Sequence, residues 1–150
     1  MEDAPLLAYL VDDEPLAIER LQRLLANFEG LRIEGSATDP AQALEFLTGN
    51  SIDLLFLDIQ MPTMNGFELL SRLPEQPFVI FTTAFDEYAL RAFEVNSIDY
   101  LLKPIEAEQL GRALTKLKRL RLPKTRSTLA LLFHLLHHDG YRVPVSNREP

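Results

Sequence analysis

Three aspartates, two threonines and one lysine stand where short apolar runs of this 150-residue sequence stop. Asp12 and Asp13 follow LLAYLV, Asp58 follows LLFL, Thr82 and Thr83 end FVIFTT, and Lys103 ends DYLLK. Carboxylates brought together repel one another, and such a set is reasonable only if a divalent cation or shared protons neutralise it. The absence of cysteine removes thiolate ligands and disulfides, so a metal must be held by oxygen or imidazole. Magnesium fits best, because it accepts one or two carboxylates, a carbonyl and waters. A hydroxyl and an ammonium beside that site describe a place for a phosphoryl group: metal and lysine offset its charge, and the hydroxyl donates a hydrogen bond. Asp58 is then the nucleophile and an acyl phosphate the product. Each residue also has an ordinary reading. Aspartates after strands cap turns or helices, a threonine pair follows β propensity, and Lys-Pro makes a turn.

For these side chains to meet, the apolar runs must be neighbouring strands. Leu6 to Val11, LRIEGSA, IDLLFLD, FVIFTT and DYLLK read as strands, and each is followed by a segment of helical period. Pro15 to Phe28 places Leu21, Leu24, Leu25 and Phe28 on one face, with Pro15 in the first turn and Gly30 as a stop. DPAQALEFLTGN has Asp39 as N-cap and Gly49 beyond the end, and GFELLSRL, DEYALRAFEV and Ala107 to Leu122 supply the other helices. Five strand-helix units with short connections predict an α/β fold, a flavodoxin-like (βα)5 open parallel sheet of strand order 2-1-3-4-5 with helices on both faces. A closed eight-stranded barrel needs many more residues. In that order strands 1 and 3 are adjacent, and their C-terminal ends flank the switch point, bringing Asp12 and Asp13 beside Asp58.

Composition allows one well-packed domain: 47% of residues are apolar and 25% charged. The chain has no run of eighteen apolar residues, and MEDAPLL lacks the basic and apolar segments of a secretory signal, so a cytoplasmic protein with no membrane association is expected. The net charge of -7 is unevenly spread, with 20 acids and 6 bases in residues 1–110 against 2 acids and 9 bases in 111–150. The bases Arg112, Lys116, Lys118, Arg119, Arg121, Lys124 and Arg126 read as a solvated face or a nonspecific contact for nucleic acid.

VDDE, DIQMPTMNG, TTAF and DYLLKP together resemble the motifs of the receiver domain of bacterial two-component response regulators, over roughly residues 6–122. The longer AFDEYALRAFEVNSIDYLLKPI resembles receivers that precede a LytTR-type DNA-binding domain. The resemblance implies that Asp58 is the phosphoacceptor for a sensor histidine kinase. Asp13, Asp58 and the Gln60 backbone carbonyl ligate Mg2+, with Asp12 orienting a metal-bound water. Thr83, the Ala84 amide and Lys103 hold the phosphoryl oxygens, and Tyr100 is a switch aromatic that turns inward as Thr83 is drawn to phosphate. Without the motif, Tyr100 reads as a partly buried sheet-edge tyrosine. Such a protein is a signalling switch and not an enzyme, apart from self-phosphorylation from small donors and autodephosphorylation. The charge pattern adds a homodimer through helix 4, strand 5 and helix 5, strengthened by phosphorylation. The alternative, an aspartyl-nucleophile phosphohydrolase of the haloacid dehalogenase type, expects a second acid two positions after the nucleophile, where Gln60 stands.

Residues 1–122 therefore form the receiver, and 123–150 a linker and short tail without a complete output domain, so that DNA is reached only through a domain absent from the chain. The tail reads as a native extension, a dimerisation element or a truncated output domain. Pro123 to Thr128 resembles a linker, and Leu129, Leu132, Phe133 and Leu136 have helical spacing. His134, His137 and His138 bring two imidazoles onto one helical face. No carboxylate or cysteine sits at a fitting helical spacing, since Asp139 is adjacent at the helix end, and a metal site there is disfavoured.

Overall fold

Successive side chains of a strand point to opposite faces, so the run Leu54–Asp58 sends Leu54 and Phe56 one way and Leu55 and Leu57 the other, and all four are buried. Such a strand needs cover on both faces and a central position. The computed structural model of the chain, which describes residues 4–94 and 97–121, supplies both. Strands β1 (Leu6–Val11), β2 (Leu31–Ala37), β3 (Leu54–Asp58), β4 (Phe78–Thr83) and β5 (Asp99–Leu102) are parallel and lie in the order β2-β1-β3-β4-β5, as the sequence predicts.

Helix α1 (Pro15–Leu25) begins on a proline, whose missing N–H is not needed in a first turn. Asp39 caps α2 (Pro40–Gly49) by accepting from the Ala41 amide at 3.3 Å. Asn65 and Glu68 exchange two bonds of 2.8 Å at the start of α3 (Gly66–Ser71), a capping box. A 3-10 turn (Asp86–Tyr88), α4 (Ala89–Glu94) and α5 (Ala107–Arg121) complete the set. Leu21 and Leu25 of α1 and Leu110, Leu114 and Leu117 of α5 pack with Leu6, Leu10, Phe56 and Ile80 on one face of the sheet. Ala43, Leu47, Phe67, Leu70 and Ala92, from α2, α3 and α4, pack with Tyr9, Val11, Leu57 and Phe81 on the other.

Three local readings change. Helix α1 ends at Leu25, short of Phe28, and the chain continues in turns to Gly30, whose φ of 81° leads into β2 and does not itself stop the helix. Gly49 is the last residue of α2 and not the one beyond it. The segment DEYALRAFEV is divided between the 3-10 turn and α4. The tail, including Leu129, Phe133 and the three histidines, lies outside the described residues. No described helix is long and apolar enough to cross a membrane.

Glycine is required at position 66, where an added Cβ would meet the Asp58 backbone oxygen at 2.6 Å and the Ile59 Cα at 3.2 Å. Backbone cannot swing aside as a side chain does, so Gly66→Ala should lower stability in urea unfolding by about 1–3 kcal/mol. Gly49→Ala, where nothing lies within 4 Å, serves as the comparison and should be neutral or slightly stabilising. Equal midpoints for the two variants would show that the loop at Gly66 yields freely.

Candidate functional site

Counting in twos along the strands decides which side chains share a face. Leu6, Ala8 and Leu10 of β1 face α1 and α5, and Asp12 continues their row; Leu54 and Phe56 of β3 do the same, and Asp58 continues theirs. Leu101 of β5 and Ile80 of β4 lie on this side too, which brings Lys103 and Thr82 into the same layer. Val79 and Phe81 face α2, α3 and α4, and Thr83 falls on that opposite side.

The result is a compact ionic cluster. Lys103 Nζ lies 2.8 Å from Asp12 Oδ2, 3.4 Å from Glu14 Oε1 and 3.6 Å from Asp58 Oδ2. Carboxylate oxygens of Asp12, Asp13 and Asp58 all lie within 4.8 Å of one another. Asp12 is 6% exposed and Asp58 4%, so water screens neither well. Asp12 divides its two oxygens: Oδ1 accepts from the Glu14 amide at 2.9 Å at the entry to α1, and Oδ2 meets the lysine. The ordinary reading of Asp12 is thus part of the truth. That of Asp58 is not, because Asn65 caps the helix that follows it.

Burial, followed by the charge of Asp12, pushes the Asp58 carboxyl up to about 8 against the opposing charge of Lys103. Burial also raises Asp12, outweighing its bonds from Lys103 and the Glu14 amide. For Lys103, burial alone acts downward, but the bond to Asp12 and the charges of Asp58, Asp12 and Glu14 hold the ammonium above its usual range. One cation among crowded carboxylates leaves excess negative charge. An all-oxygen set of this kind fits a hard divalent cation.

The remaining predicted residues lie outside this cluster. Gln60 is exposed on the β3–α3 loop, where Ile59 O accepts from the Gly66 amide at 2.8 Å. Beyond it, Thr63 has a φ of 70° and the Met64 amide bonds back to Pro62 O at 2.8 Å, a three-residue turn that a β-branched residue enters only under strain. Thr83 is fully buried; its hydroxyl accepts from the Phe85 amide at 3.2 Å and its carbonyl from the Lys103 amide at 2.8 Å. Ala84 is exposed next to it. Thr82, and not Thr83, lines the small cavity that also contains Asp12 and Lys103. Tyr100 is partly buried against the cluster under α2, α3 and α4; its hydroxyl donates to the Phe85 carbonyl and accepts from the Tyr88 amide at 3.1 Å. Sequence reasoning missed Glu14 and Arg20. The helical period of Ala17, Arg20 and Leu21 on one face of α1 is the signal that could have found the arginine.

Residues 8–115 match the response regulator receiver domain family, and the chain belongs to it. It is 44% identical over 125 residues to the transcriptional regulatory protein BtsR of Salmonella typhi, an overlap of 82% of this chain and 51% of that protein. It is 46% identical over 114 residues to the positive alginate biosynthesis regulatory protein of Pseudomonas aeruginosa, covering 73% of this chain and 46% of the relative. The chain spans about half the length of the curated relatives it matches. Among solved structures, the response regulatory domain of protein mrkE from Klebsiella pneumoniae superimposes with a TM-score of 0.70 at 36% identity, over 76% of this chain and 96% of that one. The regulatory names of these relatives agree with the resemblance to LytTR-type receivers.

The ionic cluster makes stability depend on pH in a defined direction. Asp58 binds its proton more tightly folded than unfolded, so the stabilisation it gives is complete below the unfolded value of about 3.9 and is lost as pH rises toward about 8. In a metal chelator the urea midpoint should fall from about pH 5 to about pH 8, inside that window, and Asp58→Asn should flatten the slope. Identical slopes in the two proteins would remove Asp58 as its source.

Proposed function

We propose that this receiver takes a phosphoryl group from a histidine kinase onto Asp58 and uses it to change the surface formed by α4, β5 and α5. The observation that carries the reading is the buried pair of carboxylates, Asp12 and Asp58, bridged by one ammonium at 2.8 and 3.6 Å. In the transfer, Asp58 first gives up its proton to solvent, and its carboxylate oxygen bonds to phosphorus as the bond from phosphorus to the donor's leaving atom breaks; the electron pair departs with that atom, which takes a proton from solvent. Asp13, Asp58 and the Gln60 backbone carbonyl would hold Mg2+, with Asp12 acting through water, and the ion when bound supplies positive charge against the phosphoryl oxygens. Lys103 turns part of its charge from Asp12 toward the phosphoryl group. The Ala84 amide and the Thr83 hydroxyl donate to it; Thr83 only accepts from the Phe85 amide, which leaves its own proton for phosphate. As the β4–α4 connection shifts, Tyr100 gives up the Phe85 carbonyl and Tyr88 amide.

The reading extends to the rest of the protein. Residues 1–122 are the receiver and 123–150 a linker and tail, the protein acts in the cytoplasm, and DNA is contacted only through a LytTR-type output domain. A symmetric dimer on the α4, β5 and α5 face would set Asp86 and Glu87 against Arg112 and Arg119, all exposed. Lys116 is already paired with Asp99 in its own chain at 3.1 Å, so it contributes less than its charge suggests. Exposed pairs are weak and screened, which makes the resting association salt-sensitive.

Incubation with phosphoramidate and Mg2+, followed by intact mass, should add one phosphoryl group. Asp58→Asn or a chelator should abolish it, and a generic phosphate ester should not be turned over at catalytic excess. Stoichiometric labelling of the Asn variant sinks the assignment. Sedimentation of a version ending at Leu122, with and without a phosphate mimic, should show a weak association that the mimic strengthens; a monomer at high concentration in its presence removes the proposed interface.

A further inference from the structure

Arg20, on α1, reaches across to the connection between β5 and α5. Its Nε and Nη2 both donate to the Ile105 carbonyl oxygen, at 3.0 and 2.7 Å. Ile105 stands two residues beyond Lys103, whose own amide donates to the Thr83 carbonyl at 2.8 Å. The short stretch carrying the ammonium is thus held on one side by β4 and on the other by the guanidinium. Arg20 also lines a cavity of about 80 Å³ together with Asp12, Ala17, Thr82, Lys103 and Ile105. Ala17, one turn earlier on the same helix face, is small enough to leave this space open.

The two bonds are charge-assisted on the donor side and converge on one acceptor, so they fix the direction of the Ile105 peptide and not merely its distance. Burial of the Ile105 side chain among the residues of α1 and α5 anchors the loop more broadly. The approach of Arg20 to Glu106, at 3.8 Å between side chains 42% and 64% exposed, contributes little by comparison. We propose that Arg20 is a positioning residue for phosphoryl transfer: by gripping the Ile105 carbonyl it sets where Lys103 Nζ meets Asp12, Asp58 and an incoming phosphoryl group. The proposal rests on the phosphoacceptor reading of Asp58 and adds a residue of α1 to it.

The test uses the full 150-residue chain and two readouts. Phosphorylation by saturating phosphoramidate is followed by intact mass in Arg20→Ala, Lys103→Ala, the double variant and Glu106→Gln. Arg20→Ala should slow the maximal rate about tenfold with the donor KM little changed, the scale of a small misplacement of a reacting group. The same substitution in the Lys103→Ala background should cost less than about twofold, because residues that act through one another are not additive. Glu106→Gln should match the wild type, and Arg20→Lys, which keeps a donor without the fork, should recover part of the loss. The second readout needs no phosphate: acetylation of Lys103 by an amine-directed reagent, read by peptide mass, should rise severalfold in Arg20→Ala and stay unchanged in Glu106→Gln. A wild-type rate in Arg20→Ala, an equal fall with and without Lys103, or unchanged Lys103 acetylation overturns the proposal. Where Arg20→Ala fails to fold by circular dichroism, Arg20→Lys takes its place in both measurements. Labelling that survives Asp58→Asn is a separate result and would refute the phosphoacceptor reading instead.

Discussion

The Lys103 ammonium lies between Asp12 and Asp58, both almost closed to water, and it is a single cation set against the carboxylates of Asp12, Asp13 and Asp58. Removing charges from water is costly, and a buried pair stands only where its geometry and hydrogen bonds compensate. Much of the fold can be read as the supply of that compensation. The Glu14 amide at the head of α1 satisfies Asp12 Oδ1, and the raised Asp58 carboxyl shows where the shortfall is carried. A cluster that is short of positive charge at rest is one that gains when a cation arrives.

Lys103 meets Asp58 across the width of β4. Strands β3 and β5 flank β4, and neighbouring strands are spaced such that two intervals come to about 10 Å. A lysine can span most of that distance only if the residue beneath it on β4 is small, and on this face that residue is Thr82. The threonine pair therefore divides its duties by parity. Thr82 leaves room for the lysine, while Thr83, on the opposite side, ties its hydroxyl to the Phe85 amide and stands toward α4.

This division also joins the two faces of the sheet. The Thr83 carbonyl receives the Lys103 amide, so the site and the threonine share one rung of the β4–β5 ladder. From Phe85 the path continues through the Tyr100 hydroxyl to Tyr88, whose ring lies 6.2 Å from that of Phe67, which in turn carries Arg91 of α4 at 4.4 Å. A shift at the end of β4 therefore bears on residues packed around α4, by hydrogen bonds and ring contacts between neighbours.

Much of this was present in the sequence because it depends on short separations. The two-residue alternation of LLFL, the prolines opening α1 and α2, the Asp39 cap and the aspartates and lysine at strand ends are local patterns, and together with short connections they determined an open parallel sheet with β1 beside β3. They also determined which residue types gather at its C-terminal edge. Helix ends were less legible: the apolar spacing that includes Phe28 continues past Leu25, while the backbone leaves the helix to make the turn at Gly30. What tertiary structure decided are the distances and the ionisation. Asp12, Asp58 and Lys103 are far apart in the chain, and whether they lie 3 or 8 Å apart, or how much water reaches them, is set by strand register and by the helices packed over them. The same holds for Arg20 and the Ile105 carbonyl, separated by 85 residues and joined because α1 and the start of α5 cover one face of the sheet. Coulomb energy and desolvation depend on separation and burial, quantities that an amino-acid order specifies only through the completed fold.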